Sequence, residues 1–340
     1  MAKKMTAAIF EGDGKLVLKK VDVPEVKQWE DVLLKVEAAS ICGTDCQILA
    51  VPPGHPATPG AILGHEYVGV VVEAGSRVKH LKEGDRVVVD PNVTCGTCRY
   101  CAIGLPNMCE NMTTLGIFID GGFAEYNLAP AKALHRIVPD LPVERAIFAE
   151  PLSCVVNGAR KLALEPGESV VILGAGPIGL YYTLLSKLAG AGRIVVAEIS
   201  SFRAGKAREC GADLIVNPRE ENLREIVMKE TGVGADAVVD AVGSLAKDGV
   251  ELVRRGGRVL LFGMNSNARC DFKQYDITRN EIRLLGTFIA NHTFPATIQL
   301  LESGRLDLDP LVTHRMKLEE IEKGIEIMRG GEGIEIIITP

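Results

Sequence analysis

Between positions 169 and 262 the chain alternates short apolar runs with amphipathic ones, and no other feature constrains its fold as tightly. Residues 169–173, 193–198, 213–216, 235–241 and 258–262 have the length and β-branched content of strands. Residues 177–188, 202–210, 223–230 and 245–255 have helical periodicity and lie between them. Each helix must return the chain so that the next strand can run in the same direction. Strict alternation therefore predicts an α/β fold whose parallel sheet carries helices on both faces, the doubly wound arrangement.

The first strand–helix junction holds Gly174-Ala-Gly-Pro-Ile-Gly179. G-x-G-x-x-G is a weak signal by itself. After an apolar strand and at the start of a helix it has the context that a dinucleotide requires, since glycines allow a tight turn and close approach to pyrophosphate at the helix's positive end. Gly174, Gly176, Pro177, Ile178 and Gly179 are thereby placed against the nucleotide. Glu198 ends the second strand, about 20 residues on, where a carboxylate accepts ribose hydroxyls and repels a 2′-phosphate. That points to NAD. Arg203 is the counterweight, because it would pair with the phosphate of NADP unless it lies against adenine or on the helix surface. Ser169 to Ser186 is a stretch of 18 uncharged residues, enough to suggest a membrane helix, but the glycine turn within it reads as strand, turn and helix.

A chain of 340 residues has room for roughly two domains. The first 150 positions read as short strands separated by Gly, Pro and Asp, with 32–36, 67–72 and 86–89 typical and no long helical period. Beyond 290 the pattern gives helices near 295–303 and 318–329 and a last strand at 334–339. The simplest division is a β-rich domain of residues 1–152 and 291–340, interrupted by a doubly wound domain at 153–290.

Nine cysteines are many for such a chain, and the count is odd. With an N-terminal apolar stretch too short for a secretory leader, this argues against a disulfide framework and for a reducing, cytoplasmic setting. Cys95, Cys98, Cys101 and Cys109 follow C-x2-C-x2-C-x7-C, and four thiolates can surround one zinc ion and close its coordination. An iron–sulfur cluster begins with the same spacing but continues x3-C-P, and here the last gap is seven. Elsewhere Cys42, His65 and Glu66 offer a thiol, an imidazole and a carboxylate within 25 positions, each a ligand type that zinc accepts. Alone, each of these residues is more commonly core or surface.

Together these motifs resemble the zinc-dependent alcohol dehydrogenases of the medium-chain dehydrogenase/reductase superfamily. The resemblance spans essentially the whole chain: Cys42-Gly-Thr-Asp45, Gly64-His-Glu66, Gly84-Asp-Arg-Val87, the four-cysteine lobe, Asp120-Gly-Gly-Phe-Ala-Glu-Tyr126 and the glycine turn at 174–179. Glu150-Pro-Leu-Ser153 is most similar to the sorbitol (polyol) branch. The resemblance implies a GroES-like catalytic domain beside a Rossmann domain, and two zinc ions per subunit. It further implies that Cys42, His65 and Glu66 bind catalytic zinc, with Glu150 a direct or water-bridged ligand that exchanges with substrate. Thr44 would take the alcohol proton and Asp45 would hydrogen-bond His65, unless the two merely cap a turn. Many relatives carry His two positions after this Asp; Gln47 stands there instead and cannot titrate near neutrality.

The implied reaction is hydride transfer from a secondary alcohol of a polyol to NAD. Threonine 3-dehydrogenase and sugar-acid dehydrogenases share much of the pattern. A non-catalytic zinc- and nucleotide-binding protein is the alternative from another class, which loss of Cys42, Thr44 or Glu66 would have favoured. No Lys or Arg lies between Cys42 and His65, so no clamp for phosphate or carboxylate is visible there. The net charge of −6, the lack of a basic stripe and 5% aromatic content argue against nucleic acid as a partner. The strand-like run 283–289 matches one that pairs across a subunit interface in relatives, so the resemblance implies a dimer or tetramer. Neither a membrane nor a nucleic acid is expected as a partner.

Overall fold

The computed structural model describes residues 3–340. The chain folds as two units. The first takes the chain through Ser153 with Asn291–Ser303 and Val312–Pro340, and the second takes Cys154–Ala290 with Gly304–Leu311.

The first unit is built on antiparallel pairing. Lys4–Gly12 and Lys15–Asp22 form a hairpin, reversed at Asp13-Gly14 with positive φ. A seven-stranded sheet runs in the order Val312–Lys317, Glu335–Thr339, Asp31–Ser40, Glu66–Ala74, Arg86–Val89, Leu134–Arg136, with Tyr126–Pro130 also paired to Asp31–Ser40. Only the pair at its C-terminal edge is parallel, joined through the helix Ile321–Gly330. One apolar core, with Val32, Leu34, Val36, Ile41, Leu63, Tyr67, Phe123 and Ile336 buried in it, holds the two sheets together. The 14-residue helix Ala149–Leu162, which the sequence reading did not place, begins in the first unit and continues past Ser153 into the second. Pro151 falls in its first turn, where a missing amide costs nothing.

The second unit is the doubly wound sheet. Numbered within the unit, its strands are Ser169–Leu173, Arg193–Ala197, Leu214–Val216, Ala235–Asp240, Val253–Leu261 and Arg283–Gly286, all parallel and in the spatial order 3-2-1-4-5-6. This is the order of a dinucleotide-binding domain, with its switch point between Leu173 and Asp240. Val170, Val171 and Ile172 have no exposed surface, and burial of each contributes about 1.5–3 kcal/mol. The run at 169–186 divides into the strand Ser169–Leu173 and the start of the helix Pro177–Leu188. No helix of the described residues is long and apolar enough to cross a membrane. The strand-like run 283–289 is a strand only over Arg283–Gly286, and a helix boundary differs from expectation as well. The helix expected over 245–255 stops at Leu252, and Val253 begins the fifth strand by pairing with Ala235.

Candidate active site

Cys42 follows the strand Asp31–Ser40 and caps the short helix Gly43–Ile48. Its sulfur accepts the Thr44 amide at 3.5 Å, and its own amide donates to Asp45 Oδ2 at 2.9 Å. Asp45 is fully buried and turns its other oxygen, Oδ1, toward His65 Nδ1 at 3.7 Å. That is an electrostatic contact longer than a hydrogen bond, and neither atom has another partner. Asp45 therefore caps the helix and faces the imidazole at once.

His65 and Glu66 enter from the neighbouring strand. Register pairs Ser40 with Glu66, so antiparallel pairing carries the Glu66 carboxylate back to the end of the strand that leads into Cys42. The loop before His65 is pinned by the Asp120-Gly-Gly-Phe motif. Asp120 Oδ1 accepts the Ile62 amide at 3.0 Å, and the amides of Gly121, Gly122 and Phe123 donate to the carbonyls of Ile62, Gly64 and Leu63. A Cβ on Gly116 or Gly121 would lie 2.2 or 2.3 Å from the Gly64 carbonyl oxygen, so only glycine allows the two loops to meet. In the sequence this motif stands out only as part of a resemblance; its structural work is to place His65.

Ligand atoms of Cys42, His65 and Glu66 lie within 4.8 Å of one another. Burial, then the Glu66 charge, push the Cys42 thiol up to about 12. Burial lifts Glu66 to about 7, opposed by His65 and reinforced by Glu150. Burial pushes His65 down, but Cys42 and Asp45 outweigh it and hold the ring well above its ordinary value. A divalent cation reverses all three preferences together, since it needs thiolate, neutral imidazole and carboxylate. Three such donors fit an open zinc site with a position left for substrate or water. Glu150, buried in the first turn of Ala149–Leu162, lies outside this trio, though close enough for its charge to act on Glu66. Thr44 is half-buried and Gln47 exposed on the same helix.

The second cluster is closed. Ligand atoms of Cys95, Cys98, Cys101 and Cys109 also lie within 4.8 Å of one another. The strands Asn92–Val93 and Thr113–Thr114 pair at the base of this lobe, and single turns at Arg99–Ala102 and Pro106–Met108 present the sulfurs. Amides of Thr97 and Cys98 favour the Cys95 thiolate and lower it to about 5. Amides of Cys101 and Glu110 lower Cys98. Cys101 is pushed up to about 12, first by desolvation. No disulfide joins any described cysteines; Cys46, Cys154, Cys210 and Cys270 are separate thiols.

In the second unit Gly174 has φ +92°, and a Cβ on Gly179 would sit 1.9 Å from the Gly174 carbonyl oxygen. Gly176 caps the helix that begins at Pro177 and Ile178, and nothing crowds it. Glu198 is buried, its Oε2 accepting the Ala175 amide at 2.7 Å and its Oε1 the amides of Ile199 and Ser200 at 2.9 and 2.8 Å. The carboxylate thus ties the glycine turn to the second strand. Arg203 is half-buried on the helix Ser201–Glu209, and its Nε has no partner. Asp240 does for the fourth strand what Glu198 does for the second: its carboxylate accepts the amides of Val242, Gly243 and Leu245 at 2.8–2.9 Å. Ile199, Phe202, Val242 and Met264 are exposed just past the carboxyl ends of three strands, where open α/β sheets bind ligands. Sequence reading missed Asp240 and these four; apolar residues directly after strand ends were the available signal.

Residues 28–140 match the family described as alcohol dehydrogenase GroES-like domain, and residues 177–303 match the family described as zinc-binding dehydrogenase. Over 99% of the chain it is 36% identical to D-arabinitol dehydrogenase 1 of Uromyces fabae, covering 97% of that protein. The chain belongs to the zinc-dependent medium-chain dehydrogenase/reductase superfamily. It is also 35% identical to L-threonine 3-dehydrogenase of Thermococcus kodakarensis, over 95% of this chain and 94% of the other. A Sinorhizobium meliloti 1021 crystal structure, assigned as a zinc-binding dehydrogenase and bound to NADP, superposes with a TM-score of 0.93 at 33% identity. That comparison covers 99% of this chain and 100% of the other. This chain is an alcohol/polyol dehydrogenase with a small-molecule substrate, and its family, its clustered ligand residues and its NADP-bound structural neighbour point to zinc and a nicotinamide cofactor.

Proposed function

We propose that this dehydrogenase oxidises a secondary alcohol of a neutral polyol of the sorbitol or L-iditol type, with NAD as preferred acceptor. The observation that carries the reading is the open Cys42–His65–Glu66 donor set. Zinc held there supplies Lewis acidity toward an alcohol oxygen, and the nicotinamide supplies the hydride acceptor. Thr44, one residue past the Cys42-Gly43 cap, takes the alcohol proton. Gln47, exposed one turn on, passes hydrogen bonds but holds no proton near neutrality, so the relay beyond Thr44 reaches solvent without a titrating side chain. Asp45 orients His65 through its free Oδ1, and Glu150 stands by as an exchanging ligand. Cys95, Cys98, Cys101 and Cys109 hold a second, structural zinc. Gly174, Gly176, Pro177, Ile178 and Gly179 receive the pyrophosphate, and Glu198 the ribose hydroxyls.

The substrate class rests on what lies between Cys42 and His65, where no cation is available for a phosphate or carboxylate. Likeness to threonine 3-dehydrogenases keeps L-threonine as the second reading. A screen of polyols, threonine and sugar acids with NAD and NADP, read by absorbance of the reduced cofactor, separates them. Highest kcat/KM is expected for a polyol with NAD; turnover confined to threonine would replace the substrate proposed. The open edge of Arg283–Gly286 supports a homodimer or tetramer.

A further inference from the structure

Ser40 holds one member of the metal-binding trio directly through its side chain. It is the last residue of Asp31–Ser40, has no exposed surface, and lies in register with Glu66 on one side and Ile337 on the other. Strand pairing on both sides fixes its backbone. Its hydroxyl donates to Glu66 Oε2. A hydroxyl has one proton to give, and a carboxylate has two oxygens to place. Engaging one of them stops rotation of the carboxylate about its last bond and leaves the other oxygen for a cation. Glu66 is buried, with His65 beside it and Glu150 near enough to repel it. Without Ser40 the carboxylate would be free to turn away from the trio.

We propose that Ser40 is a positioning residue that orients Glu66 as a one-oxygen ligand and so sets the affinity of the open metal site. This rests on the reading of Cys42, His65 and Glu66 as that site. Loss of a group that orients a metal ligand costs 10–100-fold in affinity as a rule, and that range is the effect expected here. Ser40→Ala and Ser40→Thr are compared with the native enzyme by chelator competition, with zinc release followed by an indicator dye and Cys42→Ser as the reference for the open site. In Ser40→Ala, one zinc per chain should be released at about 10–100-fold lower chelator concentration, while the zinc of the four-cysteine lobe keeps its native release curve. Ser40→Thr, which keeps the hydroxyl, should restore native release.

Native release in Ser40→Ala overturns the proposal. So does equal weakening of both zincs, which would mean a general loss of structure. Failure of Ser40→Thr to restore release, with its lobe zinc intact, also counts against it. If Cys42→Ser binds zinc just as the native enzyme does, then the assignment of the open site fails, independently of Ser40.

Discussion

Cys42 and Cys98 are both thiols, but they belong to clusters of different kind. The first sits with one imidazole and one carboxylate, the second with three other sulfurs. Replacing Cys42 by Ser should remove the Lewis acid from the alcohol, a loss of several kcal/mol in the transition state or about 1,000-fold or more in kcat. Cys98→Ser should instead lower the melting temperature while the remaining folded enzyme still turns over. Near-normal turnover of Cys42→Ser would remove Cys42 from the site. A third residue tests burial alone. Asp90 is largely buried, and loss of water holds its carboxyl at about 6 despite hydrogen bonds from Asn92. The folded state then binds this proton more tightly than the unfolded chain. Stability from this group is fully present below about pH 4 and is lost as pH rises toward 6. Asp90→Asn removes the charge and can keep the Asn92 amide bond, so it should be more stable than native at pH 7.5 by roughly 1–2 kcal/mol. The gap should close near pH 4; thermal melts across that range would show it, and a native protein more stable at pH 7.5 would refute it.

At the scale of elements, local pattern and long-range pairing contributed unequally. The strands Ser169–Leu173 and Arg86–Val89 and the helix Pro177–Leu188 have the ends expected from sequence, because apolar period and Gly or Pro punctuation coincide there. The fifth strand of the parallel sheet begins at Val253 rather than 258 because Val253 pairs with Ala235, a choice made by a neighbour and invisible to local periodicity. Ala149–Leu162 escaped notice because Pro151 reads as a breaker until its place in the first turn is known. The Glu198 contact with the glycine turn belongs to this scale too, since it joins two strand ends through one carboxylate. Glu198→Ala should narrow the preference for NAD over NADP by about tenfold, the equivalent of 1.4 kcal/mol. It should also loosen the turn at Ala175, raising KM for both cofactors. An unchanged ratio of kcat/KM for the two cofactors would take Glu198 out of cofactor choice.

Seen as a whole molecule, the parallel sheet ends at Arg283–Gly286, whose outer backbone groups have no strand beside them among the described residues. An uncovered edge is a template for pairing with a second chain. Light scattering should give the mass of a dimer or tetramer, and Leu284→Pro should shift it toward the monomer by removing a backbone donor. A single species at 36.5 kDa for the native protein would exclude the assembly.

What the amino-acid order determined by itself was whatever depends on neighbours along the chain. The strand–helix alternation, the glycine turn and the four-cysteine spacing each need only local geometry, so each could be read directly. Tertiary structure decided the open site. Cys42 meets His65 and Glu66 only because two antiparallel strands align in one register, and His65 is held there by a loop more than fifty residues later. It also decided that Ser40 touches Glu66. Contacts of that kind depend on which strands pair, and pairing is settled by the burial of a core assembled from the entire chain.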